Sequence, residues 1–434
     1  MGHVGSTDRA PAGSAAATGQ RRLWRQPDFL RVLVGETVSD LGSQVGGLAL
    51  PLAAALTLDA TPGQMAALRA ADYLPRILVG LAAGVWIDRL RRRPVLIATN
   101  SARAALLLLV AAAAALGLLR VEMLYGAEIA MAALSVVFAT ALAAYLPSLV
   151  PTRSLVDANG ARETSSAATE VVGPGLAGLL IQALGVPAAV ALDGLSFLAS
   201  VAGIATVRSA EPAPPPRERR RRADVELREG LRTLVGQPIL RAFLATMLTA
   251  QFFYSIIMAI YLLYLTRELG LSPAALGVVL GLGGGVGVLI GSAMAPRLAG
   301  WCGLGPALVW AQALFGLFGL LLAAATVWPP LGAPLVFAAE LAQLSVNAVY
   351  QVNRAAVEQA VTPRHLRGRV LAGRTVAHAA AGALGILVGG LLGETVGMDA
   401  AIRVGVVGGL FSFLWLLSAP IRDLRALPAE GRVD

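Results

Sequence analysis

Glu36 and Asp40 stand four residues apart in the run 29–57, among mostly apolar neighbours. On a helix that spacing puts both carboxylates on one face. Two like charges so close, in surroundings poor in water, resist being ionised together, so the pair can take up a proton and release it. Asp40, near the middle of the run, is the leading candidate for such proton coupling, with Glu36 beside it. Asp72 and Arg76 repeat the spacing in the run 66–88, near Arg69; they either neutralise each other or leave Arg76 to partner Asp40. Glu170 lies near the middle of the run 160–185, with Arg162 and Glu163 toward its start. A second set of residues has the character of a binding surface. Glu340, Gln343, Asn347, Tyr350 or Gln351, and Arg354 recur at steps of three and four, which places them on one helical face. Together with Gln251, Phe252, Phe253 and Tyr254 they would line a wet cavity for a bulky, mostly apolar molecule. The competing explanation for each buried charge is a structural ion pair.

Other chemistries lack their parts. The single cysteine, Cys302, and the scattered His3, His365 and His378 offer no metal-ligand spacing. No nucleophile–base pair and no GxxxxGK[ST] loop occur. GLGGGVGVLIG, 281–291, lies inside an apolar run, where close helix packing explains its glycines. No enzyme, metal or cofactor is expected.

The elements that must position these residues are membrane helices. The 434 residues are 56% hydrophobic and 14% charged, against about 25% charged in soluble proteins. About twelve apolar runs reach the roughly 20 residues that a bilayer core requires. They are 29–57, 66–88, 94–118, 123–148, 160–185, 188–207, 239–266, 273–297, 304–327, 332–356, 368–394 and 399–420. The first, fifth and tenth are the most polar. Arginines fill alternate loops: Arg89 to Arg93, Arg153, Arg208 to Arg241, Arg297, and Arg364 to Arg369. Among the other loops only Arg120 and Arg267 intrude. The positive-inside rule then puts both termini in the cytoplasm of a multi-pass cell (plasma or inner) membrane protein. The same distribution accounts for the net charge of +9 through an anionic inner leaflet, without nucleic acid. No apolar segment of a signal peptide precedes residue 29.

A shift of 212 residues lays one half on the other. Pro151 falls on Pro363, Arg162 on Arg374, and GPGLAGLLIQALG, 173–185, on GILVGGLLGETVG, 385–397. The domains expected are a disordered tail 1–28, a six-helix bundle 29–207, a basic Pro-rich linker 208–237, a second six-helix bundle 238–420 and a tail 421–434. Residues 223–236 of the linker read as a short surface helix or a solvated tether. Parallel six-helix repeats place a substrate between the halves near mid-membrane.

The stretch GVWIDRLRRRP, Gly84 to Pro94, resembles the loop signature of the major facilitator superfamily, with Asp88, Arg89 and Arg92 at its charged positions and Arg91 where a second glycine is usual. EVVGPGLAG resembles the glycine-proline motif of that superfamily's proton-coupled exporters, through Gly173, Pro174 and Gly178. DFLRVLVGETVSDLGSQV, LPSLVPTRSLVDANG, LDGLSF and VTPRHLRGRV are similar to its transmembrane secretion effectors, a subgroup that includes siderophore exporters like the enterobactin exporter and macrolide-efflux proteins. The span-4 arginine motif of many proton antiporters is absent; that helix offers only Glu128. The resemblance implies an all-α fold of two parallel six-helix bundles, and a latch at Gly84, Asp88, Arg89 and Arg92 that closes the cytoplasmic ends. The plainer reading of those arginines is a topological anchor. The expectation is a monomeric, proton-coupled exporter of small amphipathic molecules: drugs, secondary metabolites or siderophores. The alternatives are uptake or facilitated diffusion on the same fold, and a non-transporting membrane receptor.

Overall fold

The computed structural model describes residues 24, 26–87, 89–209, 211, 223–417 and 421–427. Among them the chain forms thirteen helices and no strand. The first bundle holds α1 (Pro27–Leu52), α2 (Pro62–Ile87), α3 (Arg92–Ala115), α4 (Val121–Leu149), α5 (Thr152–Leu184) and α6 (Val186–Ala205). A connecting helix, α7 (Ala223–Gly236), follows. The second bundle holds α8 (Pro238–Glu268), α9 (Pro273–Cys302), α10 (Leu304–Ala325), α11 (Pro329–Val361), α12 (Arg364–Thr395) and α13 (Met398–Leu417). Ten of these helices, α3 to α6 and α8 to α13, are long and apolar enough to cross a membrane. The remaining two bundle helices, α1 and α2, have 26 residues each, or about 39 Å at 1.5 Å per residue. They carry the charged pairs. The runs expected to be weakest, the first, fifth and tenth, are all helical.

Local sequence sets the helix boundaries. Pro27, Pro187, Pro238 and Pro273 sit in first turns, where the missing N–H costs nothing. Gly185 and Gly397, 212 residues apart, both adopt positive φ, at 79° and 92°. Each makes the sharp turn that follows the fifth helix of its bundle, a conformation that a side chain resists.

The repeat extends to packing. In the first bundle α1 packs on α5 and α6, α3 on α4 and α6, and α2 on α4. In the second, α8 packs on α12 and α13, α10 on α11 and α13, and α9 on α11. These are the same five pairings. A buried polar bond repeats as well. Asn100 donates to Ser200 at 2.7 Å, and 212 residues on Gln312 donates to Ser412 at 2.8 Å. The two bundles thus have one design.

The bundles meet through α2 on α12 and α5 on α9. The glycine-proline motif makes the second contact. A Cβ on Gly178 would lie 2.3 Å from the Pro273 carbonyl oxygen, and one on Gly173 2.4 Å from Gln44 of α1. From the facing side, a Cβ on Gly277 would lie 2.7 Å from the Pro174 carbonyl oxygen. Polar contacts add to the join. The Glu394 carboxylate of α12 accepts the Gly63 N–H at 2.5 Å and the Thr61 hydroxyl at 3.2 Å. Arg267 reaches Asp59 at 2.7 Å and the Ala55 carbonyl at 3.1 Å. These joins sit at the end opposite the arginine-rich loops.

Several domain expectations change. Helix α1 begins at Pro27, inside the expected tail, and the tail's residues 1–23 and 25 lie outside the described residues. Residues 223–236 are helical, and α7 packs on α12. There the Gly230 backbone lies against Arg369, and Glu229 pairs with Arg369 at 2.6 Å. The expected C-terminal tail starts packed, with Ile421 fully buried and the Leu424 carbonyl accepting from the Gly305 N–H at 2.8 Å. Asp28 ties the start of α1 to the end of the bundle. It accepts from the Ser209 N–H and hydroxyl at 2.9 and 2.6 Å, the Arg208 N–H at 3.2 Å and Arg31 at 2.8 Å. Asp28→Ala is expected to cost about 1–3 kcal/mol, since four donors lose one acceptor. Thermal unfolding of the purified protein measures this.

Candidate functional site

The buried charge of the first bundle is gathered around Arg103, in the middle of α3. Its guanidinium donates to Asn100 at 3.0 Å and to the Ser135 hydroxyl of α4. It stacks on Phe197 at 4.6 Å and Phe138 at 5.5 Å from the ring centroids. Glu36, Asp193 and Asp40 are the acids whose charge it feels. Glu36, 9% exposed, accepts from the Ser200 hydroxyl, which in turn accepts from Asn100. A continuous polar chain therefore runs Glu36–Ser200–Asn100–Arg103–Ser135 across α1, α6, α3 and α4. Asp193, only 2% exposed, has one carboxylate oxygen without a partner among the described residues. It fits because α1 is bare where it lies: a Cβ on Gly46 would stand 1.9 Å from Asp193.

Asp40 is half-buried, and Arg162 and Arg103 supply the positive charge nearest to it, with the Glu170 carboxylate also in range. Glu170 is exposed. Val172 and Leu179 of α5 point out of the bundle; at about 100° per residue Glu170 stands on the opposite side of the helix. Three carboxylates, Glu36, Asp40 and Asp193, thus lie in the field of Arg103, and Glu36 and Asp40 also in that of Arg162. Arg76 belongs elsewhere, forming a forked pair with Asp72 at 2.8 to 3.0 Å. Of its two expected partners it takes the one on its own helix.

The second bundle holds a cavity of about 420 Å³ lined by Gln251 and Tyr254 of α8, Asn347, Tyr350, Gln351 and Arg354 of α11, and Phe315 of α10. A smaller hollow of about 40 Å³ adjoins it at Tyr254 and Phe315 and reaches Glu340 and Gln343. Of the residues expected to line a cavity, Glu340, Gln343, Asn347, Tyr350, Gln351, Arg354, Gln251 and Tyr254 border these two spaces, and Phe252 and Phe253 do not. Glu340 accepts the Tyr261 hydroxyl at 2.6 Å, and Gln343 donates to the Phe315 carbonyl at 3.0 Å. The aromatic run on α8 divides. Tyr254 faces the cavity, whereas the Phe253 ring packs on the bare backbone of Gly408 in α13.

The expected latch lies only partly within the described residues. Asp88 lies outside the described residues, and Gly84 falls within α2. Arg89 is exposed. Arg92 opens α3, and its N–H donates to Glu211 at 2.5 Å, with the Arg93 N–H at 3.3 Å from the same carboxylate. Among the described residues, that loop is held by the segment following α6.

Arg103, Asn100 and Asp193 were not picked out by the sequence reading, though a signal was present. Arg103 and Asp193 are lone charges within the apolar runs 94–118 and 188–207, and intramembrane charges are functional candidates by default. The 212-residue shift also pairs Glu128 with Glu340, and Asn100 with Gln312.

Comparison with known proteins agrees with this architecture. The model of the Major Facilitator Superfamily matches residues 32–301, more than half of the chain. The uncharacterised MFS-type transporter YfiS of Bacillus subtilis (strain 168) is 25% identical over 415 residues, covering 94% of this chain and 97% of YfiS. The multidrug efflux pump Tap of Mycobacterium tuberculosis (strain ATCC 25618 / H37Rv) is 27% identical over 391 residues, covering 87% and 89%. Among solved structures, a bacterial homologue of the iron transporter ferroportin in its inward-facing state superposes with a TM-score of 0.69 at 19% identity, over 90% of this chain and 98% of that one. The outward-facing state of a bacterial ferroportin homologue gives 0.54 over the same shares. By the family match, and by the paired six-helix repeat that carries the charge cluster and the cavity, the chain belongs to the Major Facilitator Superfamily and is a membrane transporter.

Proposed function

We propose that this transporter is a proton-coupled exporter of small amphipathic molecules, working by alternating access in the cell membrane with both termini cytoplasmic. The observation that carries the proposal is the division of labour between the bundles: an acid-rich cluster in the first, and in the second an aromatic and amide cavity with two arginines at one side. Three carboxylates, Glu36, Asp40 and Asp193, beside two guanidiniums, Arg103 and Arg162, leave room for a proton, because an uncompensated charge in a poorly hydrated bundle is costly. Protonation of the Asp40 cluster and occupancy of the cavity then compete, and the bundles rock about α2–α12 and α5–α9. The closed end is the one with few arginines, so the positive-inside rule makes this the inward-facing state. The better superposition on an inward-facing relative supports that, and the likeness to a multidrug efflux pump supports export. The arginine-rich loops hold the protein against an anionic inner leaflet, and it acts as a monomer.

One proton crossing 100 mV supplies about 2.3 kcal/mol, enough for more than a tenfold bias. The test is a proteoliposome assay with an imposed pH gradient and a panel of hydrophobic compounds. Gradient-driven movement of at least one compound against its own gradient, abolished by a protonophore, is expected. Movement that ignores the gradient would make the protein a facilitator. No substrate-dependent flux, with proton or without, would leave a receptor.

A further inference from the structure

The cavity of the second bundle has unused donors at one place. Tyr350 is 5% exposed, and its hydroxyl has no hydrogen-bond partner among the described residues. A buried group left unpaired calls for an explanation. Arg374 of α12 lines the same cavity. Among the described residues its guanidinium makes one long bond, 3.4 Å to Glu358, out of the five it can donate. Arg354 is better satisfied, donating to Gln351 at 2.9 Å and to Glu358. Two guanidiniums therefore share one carboxylate, with His378 one turn beyond Arg374 on the same wall. One positive charge is left over. Arg354, Glu358 and Arg374 also line a neighbouring cavity of about 350 Å³ that reaches Thr362 and Arg367 near the arginine-rich end. The arginine pair stands where the two spaces meet.

We propose that Tyr350, Arg374, Arg354 and His378 form an anion subsite, which takes the carboxylate, sulfonate or phosphate of an amphipathic acid while its apolar body lies against Tyr254 and Phe315. The assignment rests on the cavity being the substrate site of the exporter. A guanidinium fork matches an oxyanion in two parallel bonds, and the low dielectric of the cavity strengthens both. A neutral compound leaves the excess charge and the Tyr350 hydroxyl unanswered, so the site discriminates by what it would otherwise leave unpaired.

The test is fluorescence titration of the full-length protein, reconstituted in phosphatidylcholine vesicles, with dansylglycine and its neutral methyl ester. The acid is expected to bind about tenfold tighter or more, as a charge-assisted pair allows. Arg374→Gln removes that preference and leaves the ester unaffected, and Tyr350→Phe reduces it about threefold. Glu358→Gln, which frees both guanidiniums, tightens the acid further. A merely structural role for Arg374 and Glu358 would weaken acid and ester together in both variants. Equal binding of acid and ester to the wild-type protein, or a preference that survives Arg374→Gln, overturns the subsite and leaves the exporter reading standing. Binding of neither probe also overturns it, and gradient-driven flux of neutral compounds then decides the exporter reading separately. Adding phosphatidylglycerol to the vesicles distinguishes the sources of the anion. Loss of dansylglycine binding marks a lipid headgroup as the resident acid; unchanged binding marks a soluble one.

Discussion

Arg103→Met is expected to reduce gradient-driven transport at least about tenfold and to lower stability by about 3–5 kcal/mol, the penalty for stranding a buried charge. Glu36 and Asp193 both feel this guanidinium, and Asp193 has no cation on its own helix. Arg103→Lys is expected to restore little. An ammonium keeps the charge, but it cannot donate in a fork to Asn100 and Ser135 while lying flat against Phe197. The double change Arg103→Met with Glu36→Gln separates folding from coupling. It removes one acid with the cation, so the unfolding temperature recovers, while transport stays low. Wild-type flux in Arg103→Met would show the cluster to be a structural ion-pair network and nothing more.

The second large effect concerns the closed end. Gly178→Leu is expected to abolish the state described here. A single Cβ at that position already falls 2.3 Å from a backbone oxygen and 2.8 Å from the Gly277 Cα. Backbone cannot step aside as a flexible side chain can, so α5 and α9 must part. The same argument applies from the facing side to Gly277→Leu, whose Cβ would meet the Pro174 carbonyl at 2.7 Å. Both variants should remain folded within each bundle, because the clash lies only between bundles. The measurement is labelling of a cysteine placed at Gly63 by a membrane-impermeant reagent, with Cys302 replaced by serine. Increased labelling in Gly178→Leu, with transport lost, is expected. Unchanged labelling would mean that the bundles do not separate at this contact.

What was legible in the sequence follows from what is local. Helical spacing of three and four residues found the α11 stripe and the Asp72–Arg76 pair, because those residues share a helix whatever the fold does. The repeat was legible because prolines, arginines and glycines recur at one offset. The contacts that matter most for coupling are remote in sequence: Ser200 is 164 residues from Glu36, and Glu394 is 331 from Gly63. No periodicity on one helix reveals such partners. Phe253 shows the opposite limit. Its type and position fitted a cavity wall, but a bare glycine on α13 offered a closer seat.

The central claim is that a titratable acid in the first bundle couples proton movement to the cavity in the second. Asp40→Asn in proteoliposomes tests it most directly, through two fluxes of one compound: exchange without a gradient, and accumulation driven by an imposed pH gradient. The account predicts that exchange persists, because the cavity and the α5–α9 contact are untouched, and that gradient-driven accumulation is lost. Equal gradient-driven accumulation in Asp40→Asn and the wild-type protein would contradict it.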